Sequence, residues 1–164
     1  MKALVVYDSV FGNTEKIAQA IGTGLGTQEG VPIVRATEVT PEQLNGLELL
    51  VVGSPTRKFR PTGATMRLLR RIPKNGLDGV KAAAFDTRIS ESEIEKVRIL
   101  AFLVRVFGYA AKPIADRLTK RGGQLVSPPE GFYVGGTEGP LLEGELERAT
   151  NWAKRITTAQ EPVR

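Results

Sequence analysis

With 164 residues, a formal net charge of +5 and neither cysteine nor histidine, the chain has the size of one domain and enough length for a layered core. The missing residue types exclude disulfides, thiolate nucleophiles, iron–sulfur ligation, histidine base catalysis and His-containing zinc sites, so redox work would fall to a bound organic cofactor. Lys and Arg are spread along the chain without interleaved aromatics or a recognised motif, which speaks against nucleic acid as a partner. No apolar run approaches the ~18 residues of a spanning helix, and the first strand begins at once, so the expectation is a cytoplasmic protein without a secretory leader.

In chain order, residues 2–7 form an apolar, β-branched run that predicts a strand. It passes through Asp8, Ser9, Val10, Phe11, Gly12, Asn13 and Thr14 into a helix at 15–26, whose Gly22, Gly24 and Gly26 suggest early fraying or close packing. A short second strand is expected at 31–34 and a helical turn at 41–44. Residues 47–52 read as a buried third strand ending in Gly53-Ser54-Pro55-Thr56. A helix at 62–72 stops before Pro73, and the turn dipeptides Asn75-Gly76 and Asp78-Gly79 lead into a fourth strand at 80–85. Residues 113–121 predict a helix capped by Gly122-Gly123. The fifth strand is framed by Leu125-Val126 and Phe132-Tyr133-Val134, with Pro128-Pro129 interrupting it. The last helix, at 141–156, carries Leu142, Leu146, Ala149, Trp152 and Ile156 on one side, a stripe that assigns Trp152 to the core. Residues 1–158 read as a single domain with a frayed tail at 159–164.

The strand–turn–helix at the start points several backbone N–H groups toward one place at the positive end of a helix dipole. Ser9, Asn13 and Thr14 add side-chain donors there, and the loop holds no Lys or Arg, so an anion would be held by neutral groups. An ordinary turn with Asn13 or Thr14 as helix cap is the competing reading. The hexad Ser9–Thr14 resembles the phosphate loop of flavodoxins, which cradles the FMN 5′-phosphate. It departs at Phe11, where many flavodoxins carry Thr or Ser. Gly53-Ser54-Pro55-Thr56 after the third strand is similar to flavodoxins as well. Strand–helix alternation argues for a three-layer, doubly wound α/β fold, and the resemblance implies a five-stranded parallel sheet in the order 2-1-3-4-5. The crevice beyond the first and third strands is then the cofactor site.

The resemblance thus implies FMN contacts from Ser9, Val10, Phe11, Gly12, Asn13 and Thr14. It implies others from Ser54, Pro55, Thr56, Arg57, Lys58 and Phe59, and from a third loop with Asp86, Thr87 and Arg88. Asp86 is equally suited to capping the following turn. No aromatic residue directly follows Asp86, and Arg57 stands near the place where several flavodoxins have Trp. Phe59, Tyr109 and Phe11 are the alternatives for stacking on the flavin. Arg57, Lys58 and Arg60 cluster beside the expected flavin, unlike the acidic habit of the family, and imply a less negative potential for the fully reduced flavin.

Segment 89–107 opens with Ser90, Glu91, Ser92, Glu93 and Glu95 and is then apolar on most sides. A buried crossover helix leads its readings, ahead of a flap over the flavin, a dimer contact and a membrane-surface anchor, the last a minority reading. Two functions are in contention. One is an electron carrier working between redox proteins with acidic docking faces. The other is an FMN-dependent oxidoreductase acting on a quinone or another small, anionic substrate.

Overall fold

Side-chain alternation along the strands decides the layering. In β1 (Ala3–Tyr7), β3 (Leu49–Pro55) and β4 (Lys81–Ile89) almost every residue is buried, as strands covered on both faces require. The computed structural model describes residues 1–26, 28–90, 94 and 96–159. With β2 (Ile33–Arg35) and β5 (Gln124–Leu125), the parallel order is β2-β1-β3-β4-β5, as expected. A further strand, β6 (Glu130–Val134), also pairs with β4, so β5 and β6 are two halves of one edge position separated by the Pro128-Pro129 stretch.

Ala3, Val5, Tyr7, Leu49 and Val51 face the layer containing α1 (Asn13–Leu25). Leu4, Val6, Leu50 and Val52 face the opposite layer, with α2 (Gly63–Arg71). The helix α3 (Arg98–Phe107) contributes to neither buried cluster. α4 (Ala111–Lys120) joins α2, and α5 (Glu145–Thr158) joins α1. Trp152 is in the core as expected, edge-on to Phe85 and Phe132, with its indole N–H donated to Ser127 Oγ at 3.0 Å. Among the described residues, no helix is long and apolar enough to cross a membrane.

Several local expectations need correction. β4 does not stop at Phe85: because β6 supplies a second pairing partner from Phe85↔Glu130 to Ile89↔Val134, Asp86, Thr87 and Arg88 lie within the strand. β3 likewise continues through Gly53, Ser54 and Pro55. Glycine is needed at Gly53 because the Phe85 ring occupies the space a Cβ would take. The glycines of α1 serve close packing rather than fraying. A Cβ at Gly24 would meet the Thr150 carbonyl and lie 2.7 Å from Ala153 Cβ, and one at Gly22 would lie 2.6 Å from Ile33 Cδ1.

Leu142 and Leu146 are exposed, because the buried stripe of α5 runs through Glu145, Ala149, Trp152, Ala153 and Ile156. Among the described residues, segment 89–107 departs from a buried crossover: Ile89 ends β4 and Ile94 is buried, but Val97 and, in α3, Ile99, Phe102 and Val106 are exposed. The expected helix opening at Glu91, Ser92, Glu93 and Glu95, and the tail beyond Ala159, lie outside the described residues.

Candidate functional site

The carboxyl ends of β1, β3, β4 and β6 open on a cavity of about 380 Å³. Its first wall is the turn after β1. Gly12, the residue before α1, has φ +89°, a left-handed conformation that glycine adopts without a Cβ penalty. This bend folds the turn back on itself, so that the Gly12 N–H donates to Ser9 Oγ at 3.0 Å. Ser9 Oγ accepts in this bond and keeps its own proton to donate. The amides of Asn13, Thr14 and Glu15, in the first turn of α1, have no intrahelical acceptor, as at any helix start. Asn13 Nδ2 donates to the Glu138 carbonyl at 3.1 Å, tying the turn to the loop after β6. At the floor, Thr14 Oγ1 and Thr87 Oγ1 share a 2.8 Å hydrogen bond.

The hexad itself contains no cation, yet one stands behind it. Arg35, at the end of β2, donates to the Ser9 carbonyl at 2.9 Å and to Asp8 Oδ1 at 3.2 Å. Asp8 Oδ1 also accepts the Ser9 N–H at 2.9 Å. Arg35 is a support that sequence reasoning missed, since nothing in a strand-end arginine announces which loop it will brace.

The second wall follows β3. Arg57 and Arg60 exchange backbone hydrogen bonds of 2.8 and 3.0 Å around Lys58 (φ 48°) and Phe59 (φ 67°). Two left-handed residues between a bridged pair match a type I′ turn, a form usually given to Asn-Gly. Each non-glycine residue in that region costs roughly 1–2 kcal/mol, and here Lys58 and Phe59 both line the cavity. The Arg57 guanidinium lies 5.6 Å from the Phe11 ring centroid, so the first two walls touch through a cation and an aromatic face.

The third wall is β4. Alternation sends Thr87 toward α1 and Arg88 toward the opposite layer. Asp86 lies beneath it, fully buried, bound by Arg88 Nε and Nη2 at 2.6 Å each and by the Ala111 N–H at 2.8 Å. Burial pushes the Asp86 carboxyl above the usual range, against the pull of the Arg88 ion pair. The other side of the Arg88 guanidinium carries the Tyr109 ring, 3.8 Å from its centroid. Gly131 leaves room for this arginine, since a Cβ there would strike the guanidinium. The Ala110 N–H donates to Thr56 Oγ1 at 3.1 Å, fastening the start of α4 to the end of β3.

Ser9, Val10, Phe11, Asn13 and Thr14 therefore line one side of the cavity, and Pro55, Thr56, Arg57, Lys58 and Phe59 the other, with Thr87 and Arg88 between them. Three of the residues named from sequence do not line it. Gly12 shapes the turn. Ser54 is buried, its hydroxyl donating to the Pro55 carbonyl and accepting the Thr62 N–H, both at 2.9 Å. Asp86 is engaged by Arg88. All three candidate rings, Phe11, Phe59 and Tyr109, reach the cavity.

The roof was not foreseen in detail. Leu100 and Val104 of α3, together with Ile94 ahead of that helix, line the cavity from above, and Thr137 enters from the loop after β6. That loop leaves the same end of the sheet as the others, so strand order alone could have placed it there.

A family model described as Flavodoxin matches residues 5–152. A curated protein named Flavodoxin, from Aquifex aeolicus (strain VF5), is 29% identical over 163 residues, spanning 94% of this chain and 84% of that one. Oxidised flavodoxin 1 from Bacillus cereus superposes with a TM-score of 0.72 at 16% identity, covering 96% of this chain and 97% of the other. A flavodoxin from the domain Archaea superposes with a TM-score of 0.68 at 22% identity, covering 95% and 96%.

Proposed function

Because the chain belongs to the flavodoxin family, we propose that its cavity holds FMN, the cofactor of that family, and that the protein carries electrons between redox partners. The donor set fits such a ligand. Unpaired amides at the start of α1 and the Ser9 hydroxyl gather at one end, where a phosphate monoester needs them. Phe11, Phe59, Tyr109, Leu100 and Val104 supply the apolar and aromatic surface that a flat ring system needs, beside the cationic side chains of Arg57, Lys58 and Arg88. When bound, FMN supplies reversible electron uptake, and the protein supplies position and electrostatics. The single observation that carries this reading is the Ser9–Thr14 turn standing opposite the Pro55–Phe59 loop across the switch point between β1 and β3.

The chain's own groups have separable tasks. The first turn would hold the phosphate with neutral donors while Arg35 braces the turn from behind. Arg57 and Lys58 place positive charge on the cavity wall without a carboxylate partner among the described residues. α3 would exclude water from part of the cavity through Leu100 and Val104. Residues 1–158 act as one unit in this reading, and the cytoplasm is its site of action.

A second reading, an FMN-dependent reductase of a lipophilic quinone, draws support from the apolar roof. The carrier is preferred because the residues that could serve as acid or base are engaged: Asp86 binds Arg88, and Tyr109 lies against the same guanidinium. The visible spectrum of the purified protein, before and after adding FMN, tests the proposal. The expected outcome is a yellow protein taking up FMN in equal amount; a colourless protein that takes up none overturns both redox readings. Steady turnover of NAD(P)H with a quinone would favour the reductase.

A further inference from the structure

Most of the exposed bulky apolar side chains among the described residues belong to two elements. Val10 and Phe11 of the first turn are exposed, as are Val97, Ile99, Phe102 and Val106 around α3, and both elements border the same cavity. Ile99, Phe102 and Val106 are 69%, 61% and 58% exposed. Their spacing of three and four residues puts them on one outward stripe, whereas Leu100 and Val104 turn to the cavity. Arg98 and Arg105 are exposed along one edge of that stripe, and α3 contains no acidic residue. Across the mouth, Arg57 and Lys58 are exposed as well.

We propose that this rim, centred on Ile99, Phe102 and Val106 and edged by Arg98 and Arg105, docks a redox protein that presents a small apolar patch surrounded by carboxylates. The purpose of the contact rests on the FMN-carrier reading; the surface itself does not require FMN. An apolar centre excludes water next to the cavity, and the cationic edge steers an acidic partner and speeds encounter. The stripe is short, which suits a transient electron-transfer contact at the low end of interface sizes.

Two other occupants fit less well. A symmetric contact with a second copy would set Arg98 and Arg105 against like charges. A lipid surface would receive only part of a helix of 10 residues, because Leu100 and Val104 already face the cavity.

The test is isothermal titration of the protein, with and without added FMN, against an acidic plant-type [2Fe–2S] ferredoxin as probe. The wild type should bind at low salt and weaken about tenfold as salt rises through the physiological range. I99S/F102S/V106S should weaken binding about tenfold at every salt concentration. R98E/R105E should weaken it about tenfold at low salt and converge on wild type at high salt. None of these five residues lines the cavity, so circular dichroism should show each variant folded.

A triple variant that binds like wild type, or a wild type that does not bind, overturns the proposal. So does sedimentation with phosphatidylglycerol vesicles that the triple variant loses while ferredoxin affinity is unchanged. A homodimer dispersed by the same substitutions also overturns it, in favour of a second copy. If FMN is not taken up but ferredoxin binding responds as described, the carrier reading falls and the docking face stands.

Discussion

Arg57 and Lys58 are held at the cavity wall by a backbone turn that neither Lys58 nor Phe59 favours intrinsically. Their charges attract negative charge that develops on a reduced flavin and lose strength with salt, since both are exposed. R57Q/K58Q should make the potential for forming fully reduced FMN more negative by tens of millivolts, on the order of the ~59 mV that a tenfold equilibrium change represents for one electron. Redox titration at low and high salt checks this, the shift shrinking at high salt.

Arg88 is a different kind of cation, because Asp86 is fully buried beneath it. Removing one partner of a buried pair leaves an uncompensated charge, so Arg88→Met should lose about 3–5 kcal/mol of stability at neutral pH. The Asp86 carboxyl, already raised by burial, rises further without the guanidinium. A carboxyl with a raised folded-state pKa favours folding as pH falls, so part of the loss should return under mild acid. D86N/R88M should recover stability at neutral pH and lack that pH response. Urea unfolding of both variants across pH separates the two effects.

At the scale of elements, the join between β6 and α5 depends on one charged hub. Glu145 accepts the Tyr133 N–H at 2.7 Å and bonds Arg148 through both carboxylate oxygens at 2.9 and 2.7 Å. Arg148 also reaches Glu130 at 2.8 Å and donates to the Gly131 carbonyl, with its guanidinium 4.5 Å from the Phe132 centroid. Burial raises the Glu145 carboxyl, but the Arg148 and Tyr133 bonds outweigh it and hold the pKa below the ordinary 4.5. A lowered carboxyl stabilises the fold above its unfolded value and loses that contribution as pH falls through the folded one. Glu145→Gln should therefore lower stability near neutral pH and flatten its acid dependence below pH 4.5, read by thermal melts.

The legibility of each element follows from its physics. β1, β3 and α2 were readable because burial on both faces, or a capped amphipathic stripe, writes itself into local spacing. α3 was not, because its apolar residues serve the cavity and the open surface rather than a neighbouring layer. The ends of β3 and β4 were missed because partner strands distant in sequence extend them.

For the whole molecule, order and location were legible together. An apolar run followed by a glycine turn at the first and third strands fixes where a parallel sheet of this order must open. The Ser9–Thr14 and Pro55–Phe59 segments could thus be brought to one cavity from sequence, along with the three aromatic residues at its walls. The brace from Arg35 and the buried pairing of Asp86 could not, and the roof of α3 was legible only as one of several readings of segment 89–107. Each depends on a side chain crossing from one element to another over a distance that local pattern does not encode.

The broken edge position has a separate consequence, for association between chains. An outer strand of unbroken length would offer neighbouring molecules a continuous ladder of free donors and acceptors, the template on which sheets stack into fibres. Here the ladder is cut between Leu125 and Glu130, where two prolines have no amide hydrogen to give and Ser127 is held inward by the Trp152 indole. That side of the sheet is thereby blunted against self-templated growth.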